Sequence, residues 1–438
     1  MLGLVFLLHR WDPGLRIGHL ARVYWPLLIV LWGIAKLIDH FAAQRTGQLR
    51  APLLSPGEAA LLVLLALILL FFGLGDWAHE RIPWLRIDIP AFHDSYSENR
   101  TVAPEAIPAG AHVTVETANG SISVHGVGGS ELRASVSEST NGENQRRADE
   151  RMNHVEVVVE KTADGYTVHP VHQTDFGETV DVDLEVELPK TASVALRTDH
   201  GDISVTGVGD SVDARTESGD IEIHDVGGDV AAQIEKGDVR IDQVGGNVTL
   251  KGRGEDVEIA DVKGNATLDG PFTGDTVVRK VGGATQVASL WAHLSLSQLT
   301  GRLQMDSGDL SVSDVNGPAR IETHNKNIKA ENINGQLDIN DAHGGVKVVC
   351  TTAPREAINI TNDSGDVELS LPARSGFQIT AYSRSGEVES DFESPSLRTT
   401  GEEKDGRLDG QFGGGSGAPA PKIIINTTYG TISLRKSS

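Results

Sequence analysis

The feature that most constrains this chain is an 18-residue beat. From Gly201 it reads GDISVTGVGDSVDARTES, GDIEIHDVGGDVAAQIEK, GDVRIDQVGGNVTLKGRG and EDVEIADVKGNATLDGPF. Gly-Asp pairs stand at 201/202, 219/220 and 237/238, and Asp256 keeps the step with Glu255 in place of the glycine. A second mark keeps the same time: Val226-Gly227-Gly228, Val244-Gly245-Gly246 and Val262-Lys263-Gly264. It continues with small slips at Val281-Gly282-Gly283, Leu299-Thr300-Gly301, Val315-Asn316-Gly317 and Ile333-Asn334-Gly335. A fixed period of this length is the signature of a solenoid.

Within a unit, apolar residues alternate with polar ones: Ile203, Val205, then Val208, then Val212 and Ala214. Period-2 alternation over short runs indicates strands with one buried face. Gly-Gly, Gly-Asp, Asn-Gly and Lys-Gly break the runs with the residues that tight turns favour. One such unit cannot bury its apolar side alone; stacked units can, each strand pairing with the next about 4.8 Å away. The expectation is an all-β fold, a β-solenoid (β-helix) of roughly 18-residue rungs with two or three short strands each, preceded by an α-helical transmembrane region. An antiparallel sandwich is the alternative, and the regular beat argues against it.

The net charge of −23 is unevenly placed. Residues 1–88 carry eight Lys/Arg against six Asp/Glu, so the excess acid lies beyond them. A surface this acidic repels phosphate backbones, which argues against nucleic-acid partners. A single cysteine, Cys350, excludes an intramolecular disulfide and a multi-cysteine zinc site.

Two apolar blocks point to the lipid bilayer as a partner, through residues 23–38 (VYWPLLIVLWGIAKLI) and 59–75 (AALLVLLALILLFFGLG). The second is uncharged and follows Ser55-Pro56-Gly57-Glu58, a helix start with an early acid. The first is short for a span, with Tyr24, Trp25 and Trp32 suited to the interface and Lys36 to snorkelling. Met1–Leu8 is apolar but too short to cross, and reads as the tail of a segment beginning upstream. Arg45 and Arg50 favour a cytoplasmic loop between the blocks, which places the solenoid outside; two spans from a cytoplasmic N-terminus would place it inside, and a third span at Met1–Leu8 would reconcile that N-terminus with an outside solenoid.

The organisation expected is therefore a transmembrane helical region over 1–78, a Pro-rich linker or stalk over 79–109, capping strands over 110–200, regular rungs over 201–350, and C-terminal rungs over 351–438. A flexible excursion is expected near 393–422, and an exposed helix or loop over 141–153. The outward acids Asp181, Asp183, Glu185 and Glu187 suit a polar protective edge on the opening rungs.

If the rungs stack in register, Asp202, Asp220, Asp238 and Asp256 rise one above another. Stacked carboxylates are either turn formers accepting local N–H groups or a column for calcium. The turn reading is preferred, with these four as the metal candidates. His200, His224, His293, His324 and His343 share no ligand spacing and read as surface residues. Trp291, beside Leu290, Leu294 and Leu296, reads as core packing. No catalytic motif or organic-cofactor motif stands out.

The run LPKTASVALRTDHGDISV, the repeated Gly-Asp turns, SGDVELSLP and the final YGTISL resemble the bacterial putative-adhesin β-strand-repeat family, a domain of unknown function, over about residues 110–436. GLVFLLHRW and YWPLLIVLWGIAKL resemble the small N-terminal transmembrane domain of LiaF/LiaI-like envelope-stress proteins. That resemblance implies a non-enzymatic, adhesin-like interaction or scaffold module at the bacterial cell envelope, in the cytoplasmic (inner) membrane. Its partners would be an envelope protein or polysaccharide. The alternatives are an envelope-stress sensor signalling through its membrane helices and a carbohydrate-active β-helix enzyme.

Overall fold

Each repeat folds into two strands joined by two tight turns. The unit from Gly219 gives Ile221–Val226 and Val230–Ile234, the next Val239–Val244 and Val248–Gly252. Ile221, Ile223 and Val226 point inward from the first strand, and Val230, Ala232 and Ile234 from the second. The spacing of two and then three in the first strand has a local cause. Asp225 adopts the left-handed conformation at φ 56°, as do Gln243, Asp261 and Lys280 at the same place in the following rungs. One residue turned this way acts as a bulge and returns Val226 to the inner face.

The structure, a computed structural model, describes residues 94–142, 152, 155–172, 180–402, 405–413 and 420–437. The apolar blocks at 23–38 and 59–75, Met1–Leu8 and most of the expected helix or loop at 141–153 lie outside the described residues. No helix among the described residues is long and apolar enough to cross a membrane. The described residues of 96–140 and 145–438 belong to one compact unit, and all of its named elements are strands.

The strands form two stacks around one hydrophobic core. In the first, Ile122–Val127, Ile203–Thr206, Ile221–Val226, Val239–Val244, Val257–Val262 and Thr276–Val281 pair parallel and in register. In the second, His112–Asn119, Ser193–His200, Val212–Ser218, Val230–Ile234, Val248–Gly252, Ala266–Asp269 and Thr285–Ala288 do the same. Like thus stands on like: Ile203, Ile221, Val239 and Val257 share one inner column. Parallel pairing at this interval rules out the antiparallel sandwich.

The beat conceals one reversal. After Ser289-Leu290-Trp291 the chain turns back, and Ala292–Met305 runs antiparallel across both stacks, pairing first with Thr285–Ala288 and then with Thr276–Val281. Asp306 closes the next turn by accepting the N–H groups of Gly308 and Asp309, each at 2.7 Å. Those two donors hold its carboxyl below the usual range. Asp309–Thr323 returns antiparallel, and parallel stacking resumes on it with Asn327–Asn334 and Leu337–His343. Val281, Leu299 and Val315 lie opposite one another, so the periodic mark survives the change of direction.

Both ends of the solenoid are interlocked. The rung made by His112–Asn119 and Ile122–Val127 does not lie outermost. It sits between the rung of Tyr166–His172 and Asp181–Pro189 and the rung of Ser193–His200 and Ile203–Thr206. At the other end, Lys422–Tyr429 and Ile432–Ser437 slot between Ile358–Ser364 with Val367–Pro372 and Phe377–Ser385 with Val388–Ser390.

Three sequence expectations change here. Within the expected stalk, Asp94–Thr101 and Glu105–Ala106 are strands against Glu131–Gly142. Val102 packs on the core and Ile107 is buried; the prolines break strands there rather than extend a linker. Asp181–Pro189 is an interior strand, covered by Glu131–Gly142, so its acids form an outer face and not an edge. The expected excursion at 393–422 contains an antiparallel hairpin, Leu397–Glu402 with Asp405–Phe412. Phe412 packs against Phe377 and Phe392, with ring centroids 5.6 and 4.8 Å away, and this aromatic cluster holds the segment down.

Cys350 is buried, and burial pushes its thiol up to about 11. The thiolate is the reactive form. Alkylation by iodoacetamide at pH 8 is therefore expected to run at least about 100-fold slower in the native protein than in urea. Equal rates would show that Cys350 is accessible.

Candidate binding edge along the Gly-Asp turns

The turns that carry Gly201, Gly219 and Gly237 lie along one edge. Two sets of hydrogen bonds hold them. From inside, the hydroxyls of Thr198 and Thr216 donate to the carbonyls of Gly120 and Gly201, each at 3.0 Å. From outside, Asp202 Oδ1 accepts the N–H of Asp220 at 2.8 Å, Asp220 that of Asp238 at 2.9 Å, and Asp238 that of Asp256 at 3.0 Å. Asp256 serves Asp275 in the same way at 2.8 Å. The predicted column thus exists, and each member is engaged with the backbone of the next rung. A carboxylate that accepts an N–H in this way has part of its charge offset, which lets like charges stack.

The opposite edge uses the same device with amides. Asp229 Oδ1 accepts both the N–H and the Nδ2–H of Asn247, at 2.7 and 3.0 Å, and Asn247 repeats this for Asn265 at 2.9 and 3.1 Å. Among the described residues no three of His, Cys, Asp and Glu gather as a metal set. The ladder predicts that Asp220→Ala loses about 1 kcal/mol of stability, whereas Asp220→Asn, which keeps the acceptor oxygen, loses less than half of that. Urea midpoints measured in calcium and in chelator check this. A calcium-dependent midpoint that Asp220→Asn abolishes would instead mark the column as a metal site.

On the outer face of the first stack, Glu258 takes Arg279 at 2.9 Å and Arg240 at 3.2 Å, one from each neighbouring rung. The Arg279 hydrogen bond holds the Glu258 carboxyl below the usual range. Lys280 reaches Asp261 at 3.1 Å. Exposed pairs of this kind set register more than they add stability.

The histidines do not all remain isolated. His200 and His293 stand exposed, and His224 lies 3.4 Å from Asp242. His324 and His343 come together with Trp291 on the Gly-Asp edge. The Trp291 and His324 rings stack with centroids 6.3 Å apart, and His343 meets His324 edge-on at 5.9 Å. Trp291 is 55% exposed and Leu290 68%, which overturns their reading as core; Leu294 and Leu296 are buried as expected. Leu290 and Trp291 form the tip of the reversing hairpin, where side chains project past the stack. Further along the same edge, Tyr429 is also exposed. This cluster escapes sequence spacing because the antiparallel strand brings positions 291 and 324 together.

The architecture is that of a two-stack β-solenoid whose edges are ladders of side chains on backbone. The chain belongs to the Toastrack DUF4097 family, which matches residues 111–435. Among solved structures it is similar to a putative cell adhesion protein from Clostridium sporogenes, at 8% identity and a TM-score of 0.18, covering 78% of this chain and 100% of that one. It is likewise similar to a putative adhesin from Bacteroides fragilis, at 12% identity and a TM-score of 0.19, covering 77% and 97%. No curated protein matches.

Proposed function

We propose that this protein is an adhesin-like interaction or scaffold module of the bacterial cell envelope, without enzymatic activity. It is held in the cytoplasmic membrane by residues 23–38 and 59–75, and its solenoid lies on the extracytoplasmic side. The observation that carries this reading is the continuity of the two stacks. They present long, regular faces on which acids are engaged one at a time, by backbone N–H groups at the edges and by Arg or Lys on the outer face. Such a surface suits many-point contact with an extended partner better than chemistry concentrated at one centre. The apolar blocks ahead of the β domain support anchoring, and Arg45 and Arg50 between them support an outside solenoid.

Protease digestion of a tag placed after Ser438, in intact spheroplasts, tests the reading. Loss of the tag while a cytoplasmic control protein survives is the expected result. A tag protected until the membrane is opened would place the solenoid inside the cell and overturn it.

A further inference from the structure

One side-chain ladder has a gap. In the first stack, Asp309, Asn327, Gly345 and Asp366 occupy the same place in successive rungs. Asn327 donates its amide to Asp309 at 2.9 Å and accepts the N–H of Gly345 at 3.1 Å. At Gly345 the column then lacks a side chain. Neither backbone nor packing demands glycine there: a Cβ would meet nothing closer than Asn327 Oδ1 at 3.7 Å. Its neighbour Gly344 differs, with φ 150° and a would-be Cβ 2.1 Å from the Lys326 carbonyl oxygen.

A shallow groove of about 470 Å³ runs past Gly345, its lining including Asp309, Asn327, Lys329, Lys347, Asp366 and Glu368. Lys347 is paired with Glu368 at 3.0 Å and Lys329 with Glu331 at 2.9 Å. The groove surface is mostly apolar, its lining holds three acids to two lysines, and neither lysine stands without an acid partner. His343 ends the strand before this turn and Gly345 precedes the strand after it, so the aromatic cluster and the groove flank one turn of the same edge.

Exposed aromatic faces beside a mostly apolar groove that carries acid, amide and ammonium groups suit a ligand with an apolar ring face and a rim of hydroxyls. We propose that this edge binds a neutral saccharide: Trp291, with His324 and His343 behind it, stacks on the face of a sugar ring, and the groove over Gly345 receives hydroxyls of the same chain. The acidic surroundings disfavour an anionic glycan. Tyr429, exposed further along the edge, extends the platform in the direction of an unbranched polymer. This assignment rests on the reading of the protein as an interaction module and names the ligand class of one edge.

The test uses the full chain in a detergent that lacks a sugar head group, with cellohexaose, chitohexaose and maltohexaose as neutral probes and a polygalacturonate hexamer as the anionic one. Saturation-transfer NMR and calorimetry read binding. At least one neutral probe is expected to bind, with Kd weakened at least about tenfold by Trp291→Ala and also by Gly345→Asn. Gly345→Asn restores a side chain to the ladder, so its urea midpoint is expected to match or exceed that of the parent, which separates a filled groove from a damaged fold. Binding of the anionic probe alone, or neutral binding unaffected by both variants, would overturn the proposal. So would an absence of sugar binding, including the case where Trp291→Ala instead abolishes self-association. A silent sugar titration with an external tag removes only this site. A protected tag removes the extracytoplasmic reading whatever the sugar result.

Discussion

Gly219→Ala is expected to destabilise the protein by more than about 3 kcal/mol. Gly219 sits at φ 144°, a region that side chains rarely enter, and a Cβ there would lie 2.1 Å from the Gly201 carbonyl oxygen. That oxygen cannot retreat, because it already accepts the Thr216 hydroxyl from inside the turn. The backbone of two successive rungs would have to part, and strain in a stack passes to each neighbour. Gly345→Ala is the control: its Cβ has room, and the change is expected to stay within about 0.5 kcal/mol. Urea unfolding of both variants checks the contrast. Equal midpoints would mean that the rungs do not stack as closely as described.

Ending the chain after Pro421 is expected to cost still more. It removes Ile423, Ile425, Ile432 and Leu434, all fully buried. At about 1.5–3 kcal/mol for each buried side chain, the loss is of the order of the whole stability of a domain. It also opens an empty slot between two rungs, leaving the strands on both sides without partners. Hydrogen exchange is expected to show lost amide protection over 358–390 and retained protection over 203–281, since each rung depends on its neighbours. Deleting the hairpin Leu397–Phe412 uncovers Phe377–Ser385 and removes Leu408 and Phe412 from the end of the core, but 358–372 keeps its partners on both sides and is expected to stay protected. Full protection after the longer truncation would refute the inserted position of the last rung.

The solenoid was legible because its physics repeats. Every rung needs the same inward residues and the same turn glycines, so Ile203, Ile221, Val239 and Val257 announce one another across the sequence. The Asp column was legible for the same reason, but its acceptor role was not: each carboxylate takes the N–H of the next rung, 18 residues on, and not a local one. What stayed hidden is what periodicity cannot encode. Leu299 falls on the beat whether its strand runs forward or backward, because it pairs opposite Val281 and Val315. The aromatic edge follows from that reversal, so Trp291 looked like core from its neighbours Leu294 and Leu296. The gap at Gly345 was hidden among glycines, most of which are required by a turn or a close approach. Only the space around it shows that this one is not. The insertion of the first and last rungs is a matter of order in space, which strand composition does not carry.

The inserted rung ties closure of this end of the solenoid to the strands at 422–437. During synthesis the strands over 358–372 emerge long before their partners at 422–437, and the segment over 377–412 must wait without closing the slot. The earlier rungs can zip as they appear, each templating the next, but the inserted one can enter only once residues 422–437 have been made. A chain cut short therefore keeps an open seam of strand edges and apolar side chains, the feature that chaperones and proteases recognise in unfinished molecules. The strands at 422–437 thus act as a check on the segment before them: only a product that includes them can shut this seam.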